Sequence, residues 1–170
     1  MIDRIINLDH LTTVPIETRL PGAPEAYQGA SMAEISQRIG AQKLGYNLTV
    51  VPPGKAAFPF HNHFGNEEMF FILEGEGELR YGETRNALRA GDFIACPVGG
   101  PETAHQIRNT SSDTLLKYLA VSTTISPDMF QYPDSGKTGA SFYRDGTGAK
   151  ESVVRLRNRT QDNLDYWEGE

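Results

Sequence analysis

The sequence predicts an all-β domain, and three observations carry that expectation. Short strand-like segments follow one another between residues 40 and 125, with turn signals between them. Glycine and proline, 17 and 10 of the 170 residues, recur as punctuation between those segments. No stretch in the same interval shows sustained helical periodicity of its apolar residues. Strands separated by turns in this way are the pattern of a sandwich or barrel.

The first segment of the block, residues 44–51, reads LGYNLTVV and ends at the Pro52, Pro53, Gly54 break. Residues 68–73 (EMFFIL) follow and stop at Gly75, and residues 78–81 (ELRY) stop at Gly82. After Gly91 come residues 93–95, closed by the Pro- and Gly-rich stretch 97–101. Residues 105–108 and 115–122 complete the block, separated by the turn-forming run 109–113. The length suits one domain. It divides into an N-terminal arm with edge strands over 1–39, a barrel over 40–125, and a C-terminal loop, strand and tail packing on the barrel over 126–170. Residues 4–8 read as strand-like and 21–29 as a loop. Around residues 127–130 Ser126 is placed to cap a helical turn with Pro127 in its first position. A strand is expected at 153–156, and Trp167 is expected to dock the tail as an apolar plug.

Composition excludes several functions. The longest apolar run, residues 69–73, is far short of the roughly 18 residues of a membrane span. Residues 1–10 contain Asp3, Arg4 and Asp9 and no signal-peptide core, so the cytoplasm is the expected compartment. Sixteen basic against 22 acidic residues give a net charge of −6, which argues against a nucleic-acid partner despite Arg155, Arg157 and Arg159. Cys96 is the only cysteine and reads as a buried apolar residue rather than a nucleophile.

The chemistry lies in the histidines, of which there are only four: His10, His61, His63 and His105. Chance would give about 0.1 His-x-His pair in such a chain, yet His61-Asn62-His63 is present. On a strand, residues two apart share a face about 6.6 Å apart, close enough for two imidazoles to reach one ion. Pro59, Phe58 and Phe60 favour extended chain before them. Glu67 and Glu68 follow at the entrance of the next strand, where one carboxylate can fold back beside the histidines and the other is solvated. His105 alternates onto the face of Ile107 and so points inward.

Two spaced motifs enclose these residues. Gly54, His61, His63, Glu68 and Gly75 form the first, and Gly91, Pro97, Gly99, His105 and Asn109 the second. In this arrangement the chain resembles the cupin superfamily over roughly residues 40–125. The family's six-residue spacing to the closing glycine selects Glu68 over Glu67. The sequence departs from the pattern by one extra residue after Gly54 and by five residues rather than two before His105 (residues 100–104). Tyr132 to Lys137 and the tail 165–170 further resemble a group of bacterial single-domain cupins labelled sugar-phosphate isomerases. The resemblance implies a double-stranded β-helix, a jelly-roll barrel with extra flanking strands. Within it, one divalent ion (Zn, Mn, Fe or Ni) would be held by His61, His63, Glu68 and His105. It also implies a small-molecule ligand and a homodimer paired through the flanks. Arg80, Arg108 and Lys137 are candidate phosphate donors for Lewis-acid isomerisation. Fe(II)-dependent oxygenation in a pocket lined by Phe58, Phe60 and Phe70, and non-catalytic ligand binding, are the alternatives.

Overall fold

Residues 4–143 and 153–170 are described by a computed structural model. Short apolar-rich segments bounded by turns build a first sheet of six strands. Its order is β1 (Val14–Pro15), β2 (Ser31–Glu34), β3 (Leu44–Val51), β10 (Leu116–Thr123), β5 (Glu68–Glu74) and β8 (Phe93–Cys96), with every neighbour antiparallel. The facing wall comes in two pieces. One is β7 (Thr84–Arg89), β6 (Glu76–Tyr81) and β9 (His105–Asn109). The other is β13 (Val153–Asn158), β12 (Lys137–Tyr143), β11 (Asp128–Tyr132) and β4 (Asn62–His63). Isolated bridges from Ala56 to Arg108 and from His61 to His105 join β9 to the chain that leads into β4. The two pieces therefore act as one wall.

The core lies between the walls. Phe70 and Ile72 of β5, Leu116 and Tyr118 of β10, Ile94 of β8, Leu79 of β6 and Ile107 of β9 fall in one buried cluster. Each such side chain stabilises by about 1.5–3 kcal/mol when fully buried. A second cluster of Ala33, Ile35 and Leu48, with Ile6 and Leu11 of the arm against it, covers the outer face of the six-stranded sheet. The β5–β6 turn depends on Gly75, whose φ is +84° and whose added Cβ would lie 2.2 Å from the Leu115 carbonyl oxygen. That close approach is why a glycine closes the first motif.

Several strands differ from the sequence reading. Residues 128–132 are β11 and not a helical turn. Asp128 and Phe130 alternate inward, and the strand's ladder to β12 and β4 outweighs the local cap signal at Ser126 and Pro127. Residues 4–8 lie outside any strand, and Leu8–His10 is a 3-10 turn capped by the Asn7 side chain. The polar segment Thr84–Arg89 is a strand held by its pairing with β6, with only Leu88 buried. Trp167 is 76% exposed and rests edge-on against Tyr166, so it plugs nothing. Among the described residues no helix is long and apolar enough to cross a membrane.

Candidate metal centre

His61 and His63 flank Asn62 at the start of β4, and the extended backbone turns both imidazoles to the barrel side. Asn62 points the other way, is fully buried and donates from Nδ2 to the Gly99 carbonyl at 2.8 Å. That hydrogen bond ties the first histidine motif to the glycine of the second. His61 is bridged to His105 through paired backbone hydrogen bonds, which sets the two rings 4.8 Å apart. Glu68 opens β5 on the inward face it shares with Phe70 and Ile72, while Glu67 is exposed.

The side chains meet at one atom. Glu68 Oε2 lies 2.9 Å from His105 Nε2, and 3.7 Å from both His61 Nε2 and His63 Nε2. His61, Glu68 and His105 each offer a ligand atom, and these atoms all lie within 4.8 Å of one another, a cluster that could hold a metal ion. The opposite nitrogens are held by acceptors. His61 Nδ1 donates to the Pro59 carbonyl at 2.8 Å, and His63 Nδ1 donates to Asp128 Oδ2 at 2.6 Å. Thr103 O lies 3.3 Å from His105 Nδ1. A carbonyl oxygen cannot donate, so the His61 proton sits on Nδ1 and the Nε2 lone pair is left for the cluster. Hydrogen bonds of this kind fix the tautomer and ring orientation of metal-ligating histidines. The donor set therefore fits a divalent transition ion, with imidazole nitrogens and one carboxylate oxygen converging, and a bound ion would replace the proton that His105 Nε2 donates to Glu68.

The electrostatics follow from burial and proximity. Burial, against the pull of Glu68, lowers the His61 pKa to about 4, so this ring is neutral at pH 7. Burial also disfavours the charged form of His63, but the Asp128 hydrogen bond and the charges of Glu68 and Asp128 outweigh it and raise its pKa. For Glu68, burial works upward, yet the hydrogen bond from His105 and the nearby imidazoles hold its carboxyl below the usual range. Cys96, paired with Glu68 across β8 and β5, is buried, and that burial together with the Glu68 charge pushes its thiol up to about 12.

Sequence reasoning missed Asp128. It is 4% exposed, and besides His63 it accepts the Gly65 N–H at 3.1 Å. Sixty-five residues separate it from His63, so no spacing motif links them. The one available signal is an acid in the inward register with Phe130 on a strand. Tyr132, also on β11, stacks on His61 with ring centroids 6.1 Å apart. Residues 100–104, the stretch longer than the motif expects, form a 3-10 turn that supplies the Thr103 carbonyl to His105.

Of the three candidate phosphate donors, Arg80 and Lys137 adjoin one cavity and Arg108 does not line it. Arg80 is engaged bidentately by Asp134 at 2.7 and 2.9 Å and lies over the Phe60 ring. Arg108 is exposed and donates to the Gly54 carbonyl. Lys137, with its ammonium 5.1 Å from the Tyr132 ring centroid, lines a cavity beside the cluster.

Residues 47–122 match the family model described as Cupin domain. Among curated proteins the chain is 27% identical over 113 residues to cupincin of Oryza sativa subsp. japonica, covering 63% of this chain and 24% of cupincin. It is 35% identical over 60 residues to an uncharacterized protein of Methanocaldococcus jannaschii, covering 35% of this chain and 45% of that protein. The aligned stretches thus span about a quarter and under half of these relatives. Among solved structures, a sugar phosphate isomerase of the cupin superfamily from Silicibacter pomeroyi superposes with a TM-score of 0.74 and 20% identity, over 95% of this chain and 97% of that one. The polyketide cyclase RemF of Streptomyces resistomycificus gives 0.56 at 20%, over 73% and 82%. A cupin 2 conserved barrel domain protein of Rhodopseudomonas palustris gives 0.56 at 19%, over 68% and 73%. At these identities the shared property is the fold.

Proposed function

We propose, on the premise that this chain is a cupin, that His61, His63, Glu68 and His105 hold one divalent transition ion and that the protein acts there on a small oxygen-bearing molecule. The observation that carries the reading is the convergence of three imidazole Nε2 atoms on Glu68 Oε2, with acceptors facing the opposite nitrogens. A bound ion at such a site is a Lewis acid that polarises a carbonyl or hydroxyl oxygen. The chain's own part is to orient the ligands through Pro59, Thr103 and Asp128, and to keep bulk water from the inner side with Phe70 and Tyr118. Isomerisation of a sugar phosphate is the first reaction to test. The superposition on the Silicibacter pomeroyi isomerase supports it.

A second reading is Fe(II)-dependent oxygenation. A cavity of about 20 Å³, lined by Phe58, Phe70, Ile107 and Tyr118, touches both His61 and His105 and has room for one water-sized molecule. The Fe-, Mn- and Zn-loaded forms, assayed with and without oxygen on aldose and ketose phosphates and on small aromatics and thiols, separate the two. Turnover of a sugar phosphate without oxygen is expected. Turnover only with Fe(II) and oxygen discards isomerisation, and tight binding without turnover makes the protein a binding module.

The same reading places the protein in the cytoplasm as a homodimer paired through its flanking strands. Two-residue β1 leaves a sheet edge open, with Val14 exposed. Light scattering at micromolar concentration should give twice the chain mass.

A further inference from the structure

A cavity of about 290 Å³ lies between the N-terminal arm and the β11–β12 turn. It abuts the histidine cluster, since Pro59 and Phe60 run directly into His61, and Tyr132, which stacks on His61, forms part of its wall. Flat apolar surfaces dominate the lining: Tyr27, Phe58, Pro59, Phe60 and Tyr132, with Ile16 behind them. Two charged side chains line it, Asp134 and Lys137. Both Asp134 oxygens are engaged by Arg80, whose guanidinium is stacked 3.6 Å above the Phe60 ring centroid. Among the described residues Lys137 has no carboxylate within ion-pair distance. Its ammonium stands over the Tyr132 ring. One positive charge is thus left uncompensated at an aromatic cavity, on a chain whose net charge is −6.

We infer that this cavity is a recognition pocket for a small aromatic carboxylate, with Lys137 as its counter-ion and the rings of Phe58, Phe60 and Tyr132 as its stacking walls. The inference goes beyond the metal reading and stands without it, because none of the cavity's lining residues is a proposed ligand. The volume is at the low end for small-molecule pockets and too small for a peptide segment or a second chain. A polyhydroxylated ligand would leave hydroxyls against apolar rings without partners, which disfavours it here. An aromatic ring loses nothing in the same place, and stacking adds to the area it buries. The carboxylate meets a cation whose local field is not cancelled by Asp134.

The test uses trans-cinnamate, its uncharged isostere cinnamamide, and glucose 6-phosphate, each titrated into the full chain by calorimetry at low salt. Cinnamate is expected to bind more tightly than cinnamamide, and glucose 6-phosphate is expected not to compete. Lys137→Gln should weaken cinnamate about tenfold and leave cinnamamide within about twofold, the signature of a lost charge pair rather than a lost pocket. Ala23→Phe, on the arm side of the cavity, should exclude both probes. If that variant fails to fold, the Lys137→Gln comparison still decides. The His61→Ala/His63→Ala variant should retain cinnamate binding whatever its metal content, which separates this inference from the metal reading. Equal affinity for cinnamate and cinnamamide, unchanged cinnamate affinity in Lys137→Gln, competition by glucose 6-phosphate, or no binding at all would each overturn it.

Discussion

Replacing Asp128 with Asn keeps the size of the side chain and removes one acceptor. In the native chain Oδ2 faces the His63 Nδ1–H at 2.6 Å and Oδ1 faces the Gly65 N–H at 3.1 Å, both in a site only 4% exposed. An amide has one oxygen and one NH2, so one of those two donors must then face a donor. If the amide nitrogen faces His63, the imidazole moves its proton to Nε2 and loses the lone pair that points at Glu68. If it faces Gly65, the His63 contact survives but is no longer charge-assisted. Hydrogen bonds to charged groups contribute about 1.5–3 kcal/mol, and about 1.4 kcal/mol is a factor of ten. Metal affinity should therefore fall roughly 10- to 100-fold, the range that partners of metal-bound histidines usually command. A competition titration against a chromophoric chelator at pH 7.5 measures it. In the metal-free chain the same substitution should destabilise most at low pH. The folded His63 pKa is raised, so its stabilisation is fully present below about 6.5 and is lost as pH rises through the raised value. An Asn variant that folds and binds metal as tightly as the native chain would refute the positioning role.

The opposite sign holds at His61, whose folded pKa of about 4 lies below the unfolded value. The metal-free chain should lose stability as pH falls from about 6.5 to 4, by on the order of 3 kcal/mol, and urea melts of a His61→Phe variant should show this slope removed. Gly75→Ala should cost at least about 2 kcal/mol in the same assay, because a Cβ there combines positive φ with a 2.2 Å approach to the Leu115 carbonyl. A melt within 0.5 kcal/mol of wild type would show that the turn can shift. Cys96, buried with its thiol pushed up to about 12, should react with a thiol reagent only as fast as the chain opens, and a rapid burst would contradict that placement.

The strands were legible because turn-forming glycine and proline bracket short apolar segments. Residues 44–51 end at the Pro52 break and residues 68–73 stop before Gly75, and both are strands. The inward direction of His105 was legible from its register with Ile107, whereas Glu68 was chosen over Glu67 by the six-residue spacing to Gly75 that the resemblance supplies. Thr84–Arg89 was not legible, because its strand state comes from backbone pairing with β6 and its side chains are mostly solvated. Asp128–Tyr132 was obscured by a sound local cap signal that long-range pairing overrides. Asp128's link to His63 lies between strands far apart in the chain, and a single sequence holds no record of it. Arg80 read as a phosphate donor, but its charge is taken by Asp134, 54 residues away.

The central claim, one ion held by His61, His63, Glu68 and His105, is tested most directly by elemental analysis of the purified protein beside its His61→Ala/His63→Ala variant, with folding of each checked by circular dichroism. The reading predicts close to one divalent transition ion per native chain and a near-complete loss in the folded variant. A folded variant that retains its full metal content would contradict it.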